Sequence, residues 1–121
     1  MATTALIVDD HPGFRMSARM LLESEGFEVV GEAEDGASAV AAAEATRPDV
    51  VILDVQLPDA MGFDIAGVLT SRGFTRQVVL VSSRDASDYG DRITSSAAVG
   101  FVAKADLSGA ALRELLCGRT A

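Results

Sequence analysis

The chain has 121 residues, 49% of them hydrophobic, which is the size of one domain and enough material for a buried core. Ten Lys and Arg against eighteen Asp and Glu leave a formal charge of −8, which argues against direct nucleic-acid binding because nothing could neutralise a row of phosphates. No apolar run approaches the roughly 20 residues of a membrane helix, Met1-Ala2-Thr3-Thr4 has no signal-peptide layout, and the single Cys117 allows no internal disulfide, all of which suit a cytoplasmic location.

In chain order, the first strand is expected at Ala5-Leu6-Ile7-Val8. Phe14, Ala18, Leu21 and Leu22 then fall at i, i+4, i+7 and i+8, on one face of a helix. Phe27-Glu28-Val29-Val30 is the second strand, and Glu28 marks it as an edge. Ala37, Val40 and Ala41 set the face of a second helix, capped by Asp35 and closed by Pro48. Val50-Val51-Ile52-Leu53 is a third strand, followed by a helix with Ile65, Ala66 and Leu69 inward. Val78-Val79-Leu80-Val81 is a fourth strand; residues 85–97 after it are polar, carry Gly90, and make the weakest helix. Gly100-Phe101-Val102-Ala103 is the fifth strand, and Ala111, Leu112 and Leu115 mark a last helix capped by Asp106 or Ser108. Cys117 on that helix reads as a small apolar filler, and Gly26, Gly73 and Gly100 punctuate helix ends or strand entries.

Strands that are continuously apolar are buried on both faces, as in a parallel sheet. Strand and helix alternating five times predicts a three-layer, flavodoxin-like doubly wound α/β fold, (βα)5, filling residues 1–121 as one domain. Ligands of such sheets sit beyond the carboxyl ends of the strands.

Those ends carry the polar residues. Asp9 and Asp10 follow the first strand, Asp54 the third, Ser82 the fourth and Lys104 the fifth. Three carboxylates gathered at one sheet edge call for a cation, and a set of oxygen donors suits magnesium better than zinc. Taken singly, each residue could be turn chemistry, a helix cap or a solvated charge. Their arrival at four strand ends on one side is what points to a site.

With Leu6-Ile7-Val8-Asp9-Asp10-His11, Val51-Ile52-Leu53-Asp54-Val55-Gln56-Leu57-Pro58, Gly62, Val79-Leu80-Val81-Ser82 and Gly100-Phe101-Val102-Ala103-Lys104 in order, the chain resembles the receiver domains of two-component response regulators over essentially its whole length. The resemblance implies a five-stranded sheet in the order 2-1-3-4-5. It also implies a phosphoryl group passed from a sensor histidine kinase to Asp54, and a Mg2+ ion held directly by Asp10, Asp54 and the Gln56 carbonyl and through water by Asp9. Lys104 matches the lysine that pairs with Asp54, Ser82 the hydroxyl that meets the phosphoryl group, and Phe101 the aromatic switch. Gln56 and Arg84 match positions that tune phosphoryl lifetime.

His11 is expected at a helix cap or in solvent rather than as a ligand, and Asp59 and Met61 as shaping the loop after Asp54. Many receivers have proline after the lysine; here Ala105 predicts a trans Lys104–Ala105 bond. That departure, with Asp9-Asp10-His11-Pro12, is similar to regulators of the LuxR/NarL type, whose output is a DNA-binding helix-turn-helix domain. The chain is expected to end after the fifth helix, either as a stand-alone receiver or as a piece of a transcription regulator. Leu112, Leu115, Leu116 and Cys117 exceed one buried stripe and suggest a homodimer or output-domain contact. Two readings compete with the phosphoryl switch: a receiver-like binding module independent of phosphorylation, and a hydrolase with an aspartate nucleophile. Gln56 stands where such hydrolases commonly have a second acid. A flavin site is disfavoured because no phosphate loop follows the first strand and there is no tryptophan.

Overall fold

The computed structural model describes residues 2–117. Five strands, β1 (Thr4–Val8), β2 (Glu28–Ala33), β3 (Val50–Asp54), β4 (Gln77–Ser82) and β5 (Gly100–Ala103), form one parallel sheet in the order β2-β1-β3-β4-β5. The helices are α1 (Pro12–Ser24), α2 (Gly36–Thr46), α3 (Gly62–Ser71), α4 (Asp91–Thr94) and α5 (Gly109–Cys117). The expected doubly wound architecture and strand order are both present.

The two faces of the sheet divide the apolar residues by parity, as side chains alternating along a strand require. Leu6, Val8, Val51, Leu53 and Leu80 face α2 and α3, packing on Ala39, Ala43, Ile65, Ala66 and Leu69. Ala5, Ile7, Val50, Ile52, Val79 and Val81 face α1 and α5, on Ala18, Leu22 and Leu112. The central strand β3 is buried along its whole length, and each such aliphatic side chain contributes about 1.5–3 kcal/mol. Glu28 is exposed and β2 lies at an edge, as its charge predicts.

Several local expectations need correction. The buried residues of α2 are Gly36, Ala39 and Ala43, whereas Ala37 and Ala41 are exposed. In a run of alanines every face is equally apolar, so composition carries no phase and tertiary contact decides it. Helix α2 is closed by Arg47, which adopts the left-handed conformation at φ 47° and donates its N–H to the Ala43 carbonyl, rather than by Pro48. Residues 85–97 hold only a turn of 3-10 helix at Ala86–Asp88 and the single turn of α4. Asp35 caps α2 as expected, in a reciprocal box with Ser38, and Ser108 accepts from the Ala111 N–H at the start of α5. Gly26 and Gly73 take φ of 92° and 70° after α1 and α3, conformations open to glycine at little cost. No described peptide bond is cis, so Lys104–Ala105 is trans. Among the described residues no helix is long and apolar enough to cross a membrane. Leu115 and Leu116 pack partly against the sheet, which takes up some of the apolar excess on α5; the Cys117 side chain lies outside the described residues.

Candidate functional site

Strand register brings the polar strand ends level. Val8 pairs with Leu53, Asp54 with Val81, and Ser82 with Ala103, so Asp9, Asp54, Ser82 and Lys104 emerge together at the carboxyl edge. The charged residues Asp9 and Asp54 are buried, at 0% and 4% exposure, as is Ser82. Asp10 and Gln56 lie outside them, facing solvent.

Lys104 joins the two buried carboxylates. Its Nζ lies 2.6 Å from Asp9 Oδ2 and 3.3 Å from Asp54 Oδ2, and it sits 4.6 Å from the centre of the Phe14 ring. The contact with Asp54 is a hydrogen bond, whereas Asp9 Oδ2 meets the ammonium as an ion pair without hydrogen-bond geometry and is left unsatisfied in that sense. Asp9 Oδ1 accepts from the His11 backbone N–H at 2.8 Å. Asp54 Oδ1 accepts from the Gln56 N–H at 3.2 Å. Burial, and then the like charge of Asp9, push the Asp54 carboxyl above its ordinary range, against the pull of the Gln56 N–H and Lys104.

That shift has a direct consequence for stability. A carboxyl with a raised folded pKa loses stability as pH rises from the ordinary carboxylate range through the raised value, because the unfolded chain ionises first. Without metal, Asp54→Asn therefore raises the melting temperature by a few degrees at pH 7, and the gain shrinks as the pH is lowered through that window. Thermal denaturation at several pH values checks this.

His11 occupies the N-cap position of α1 and faces solvent, as expected, although its side chain makes no capping bond. Its ring, 69% exposed, places Nδ1 3.0 Å from Asp9 Oδ1 and 3.1 Å from Asp10 Oδ1. Ligating atoms of Asp9, Asp10, His11 and Asp54 all lie within 4.8 Å of one another. A donor set dominated by carboxylate oxygen fits a hard divalent cation such as Mg2+.

The loop after Asp54 folds back tightly. Val55 donates to the Val81 carbonyl, Leu57 to that of Ala60, and Gly62 to that of Val55 at 2.6 Å. Asp59 has a larger part than loop shape: its carboxylate accepts from the N–H groups of Gly36 at 2.7 Å and Ala37 at 3.1 Å. The loop that carries Asp54 thus satisfies free donors at the start of α2, where a negative charge also suits the helix dipole. Asp59→Ala costs about 1 kcal/mol by urea denaturation, the usual worth of a helix cap, while leaving the charge cluster in place.

Tyr89 carries no pattern in the sequence that marks it as a site residue. Its hydroxyl lies 2.8 Å from Ser82 Oγ, and its ring packs edge-on against Phe63 and tilted against Phe101, with centroids 5.6 and 5.8 Å away. The one available signal was its being the only tyrosine, within an otherwise polar stretch. Phe101 itself is half-buried.

Comparison with known proteins agrees with this geometry. The family model of the response regulator receiver domain matches residues 5–115. Among curated relatives, BvgA of Bordetella pertussis, named as a transcription regulator of virulence factors, is 36% identical over 104 residues, covering 86% of this chain and 50% of the relative. EvgA of Escherichia coli, named as a DNA-binding transcriptional activator, is 35% identical over 100 residues, covering 83% and 49%. The chain spans about half the length of these curated relatives. The solved receiver domain of NarL from Mycobacterium tuberculosis superposes with a TM-score of 0.80 at 32% identity, covering 94% of this chain and 96% of that one. With the 2-1-3-4-5 sheet and the polar cluster at its carboxyl edge, these matches establish that the chain belongs to the response regulator receiver domain family of two-component systems, in its LuxR/NarL class.

Proposed function

We propose that this receiver takes a phosphoryl group onto Asp54 from a sensor histidine kinase, with Mg2+ bound, and so switches its contacts with an output domain or a second copy. The receiver unit is read as the whole of residues 1–121, cytoplasmic and without a separate substrate to turn over. Regulation of transcription through a DNA-binding domain outside this chain follows the names of its relatives. The observation that carries the reading is one lysine shared by two buried aspartates at the strand ends.

In this reading an Asp54 carboxylate oxygen attacks phosphorus, an O–P bond forms and the P–N bond of the phosphohistidine breaks. The imidazole nitrogen keeps the electron pair and takes a proton from solvent when it needs one. Asp10, Asp54 and the Gln56 carbonyl would hold Mg2+ directly and Asp9 through water; when bound, the ion supplies positive charge against the phosphoryl oxygens. Lys104, already 3.3 Å from Asp54 Oδ2, is placed to follow the negative charge as it spreads onto the transferred group. Ser82 can donate to a phosphoryl oxygen only when that group is present, so this contact distinguishes the two states. Phe101, half-buried beside Tyr89, is positioned to change packing in response.

Intact mass after incubation with acetyl phosphate and Mg2+ tests the assignment. One phosphoryl adduct is expected, lost in Asp54→Asn and without the metal. An adduct retained in Asp54→Asn would move the acceptor elsewhere, and no adduct under any condition would favour a phosphorylation-independent binding module.

A further inference from the structure

Between Ser83 and Ala98, Tyr89 is the one buried residue. The surrounding segment has almost no regular structure, only the 3-10 turn at Ala86–Asp88 and the single turn of α4. The Tyr89 ring lies between Phe63 and Phe101 with its hydroxyl 2.8 Å from Ser82 Oγ, and Arg92, stacked over Phe63, and the half-buried Ile93 add to what ties the segment to the sheet. Ser82 Oγ also accepts from the Arg84 N–H at 3.1 Å. The serine hydroxyl, with one proton and two acceptor sites, is therefore already engaged by two partners.

We infer that Tyr89 is a positioning residue that acts through Ser82: its phenol holds the serine hydroxyl in the resting geometry, and a phosphoryl group on Asp54 must take that hydroxyl from it. The inference rests on the reading of Asp54 as phosphoacceptor and Ser82 as its hydroxyl partner. A rotamer change at Ser82 moves Oγ by more than a hydrogen bond tolerates. The tyrosine ring, held from two sides by phenylalanines, cannot follow. The phenol is then buried without a partner, a costly state that is relieved when the segment 83–97 opens to water. A small movement at the acceptor site thus becomes a rearrangement of the segment between β4 and β5.

The chain has one tyrosine and no tryptophan, so near-ultraviolet emission reports on Tyr89 alone. The test follows that emission beside intact mass, in Mg2+ with and without acetyl phosphate. In the unsubstituted protein the emission changes as the adduct forms and not with Mg2+ alone. In Ser82→Ala it already has the released value and does not change further. Tyr89→Phe, which keeps the ring packing, gains the adduct about 2- to 12-fold faster, the factor set by one neutral hydrogen bond that no longer has to break. That gain disappears when Ser82→Ala is added, which a purely structural role for the phenol would not produce. An adduct with unchanged tyrosine emission, or a Tyr89→Phe effect of the same size with and without Ser82, overturns the inference. Absence of any adduct in the unsubstituted protein removes the acceptor reading and this inference with it, and the mass alone distinguishes that outcome.

Discussion

Replacing Lys104 with methionine lowers the unfolding free energy by about 3 kcal/mol at pH 7, the scale expected when one partner leaves a buried ion cluster. Methionine keeps much of the apolar stem and removes the ammonium, which lies 4.6 Å from the centre of the Phe14 ring, so the main loss is charge. Asp9 and Asp54, both buried, then face each other with no cation between them. The deficit has a definite pH signature. Without Lys104, Asp54 loses one of the groups that pull its raised carboxyl back down, so it holds its proton to still higher pH than in the unfolded chain. Stability is therefore recovered as the pH falls through the region above the ordinary carboxylate range. Adding Asp54→Asn to Lys104→Met restores much of the loss at pH 7, because the second change removes the repulsion the first exposes. Urea denaturation of the single and double variants, without metal, measures all of this. An equal loss at pH 7 and pH 5 would assign Lys104 to packing on Phe14 instead.

Gly62→Ala has the next largest effect and works through shape. A Cβ at this position would lie 2.3 Å from the Asp54 carbonyl oxygen and 2.9 Å from the Val55 Cα. Both are backbone atoms of a buried strand end, so neither can give way as a flexible side chain would. Helix α3 must move outward or the Asp54–Val55 peptide must shift, at a cost of about 1–3 kcal/mol. The hydrogen bond from the Gly62 N–H to the Val55 carbonyl, 2.6 Å long, lies in the same place and is strained by either movement. Because the displaced peptide belongs to the proposed acceptor, phosphoryl uptake from acetyl phosphate falls by about 100-fold, the usual consequence of moving a reacting group by an ångström. A variant that melts several degrees lower but takes up phosphoryl at the normal rate would show that the strain is absorbed by α3 alone.

Much of the fold was legible because its physics is repetitive. Val50-Val51-Ile52-Leu53 and Val78-Val79-Leu80-Val81 are apolar at every position, which only a strand covered on both faces tolerates, and both are buried throughout. The polar residues that interrupt this pattern fall at strand ends, and the parallel register brings Asp9, Asp54, Ser82 and Lys104 to one edge. Other features depend on tertiary contact and leave no local mark. Nothing in Ala37 to Ala43 distinguishes the face that meets the sheet. The αL cap at Arg47 is a glycine-like role taken by a residue that prefers it weakly, and Arg47 also places its guanidinium 4.9 Å from the centre of the Phe74 ring. Asp59 reads as turn chemistry until α2 is brought beside its loop. Tyr89 sits in a segment with no periodicity, and nothing local marks it as the partner of Ser82, which its strand-end position does mark.

The sheet also has two unequal borders. At β2 the outward row is guarded by Glu28 and Glu32, and Glu32 is held by Arg15 and Arg19 on α1. At β5 the strand is four residues of Gly100, Phe101, Val102 and Ala103, with no charge of its own. Such a border is kept from templating the addition of a foreign strand by its brevity and by the net negative charge of the whole domain rather than by gatekeeping residues. Near the isoelectric point of about 4.4 the second of those safeguards vanishes, and self-association of the acidified protein would begin at β5 rather than at β2.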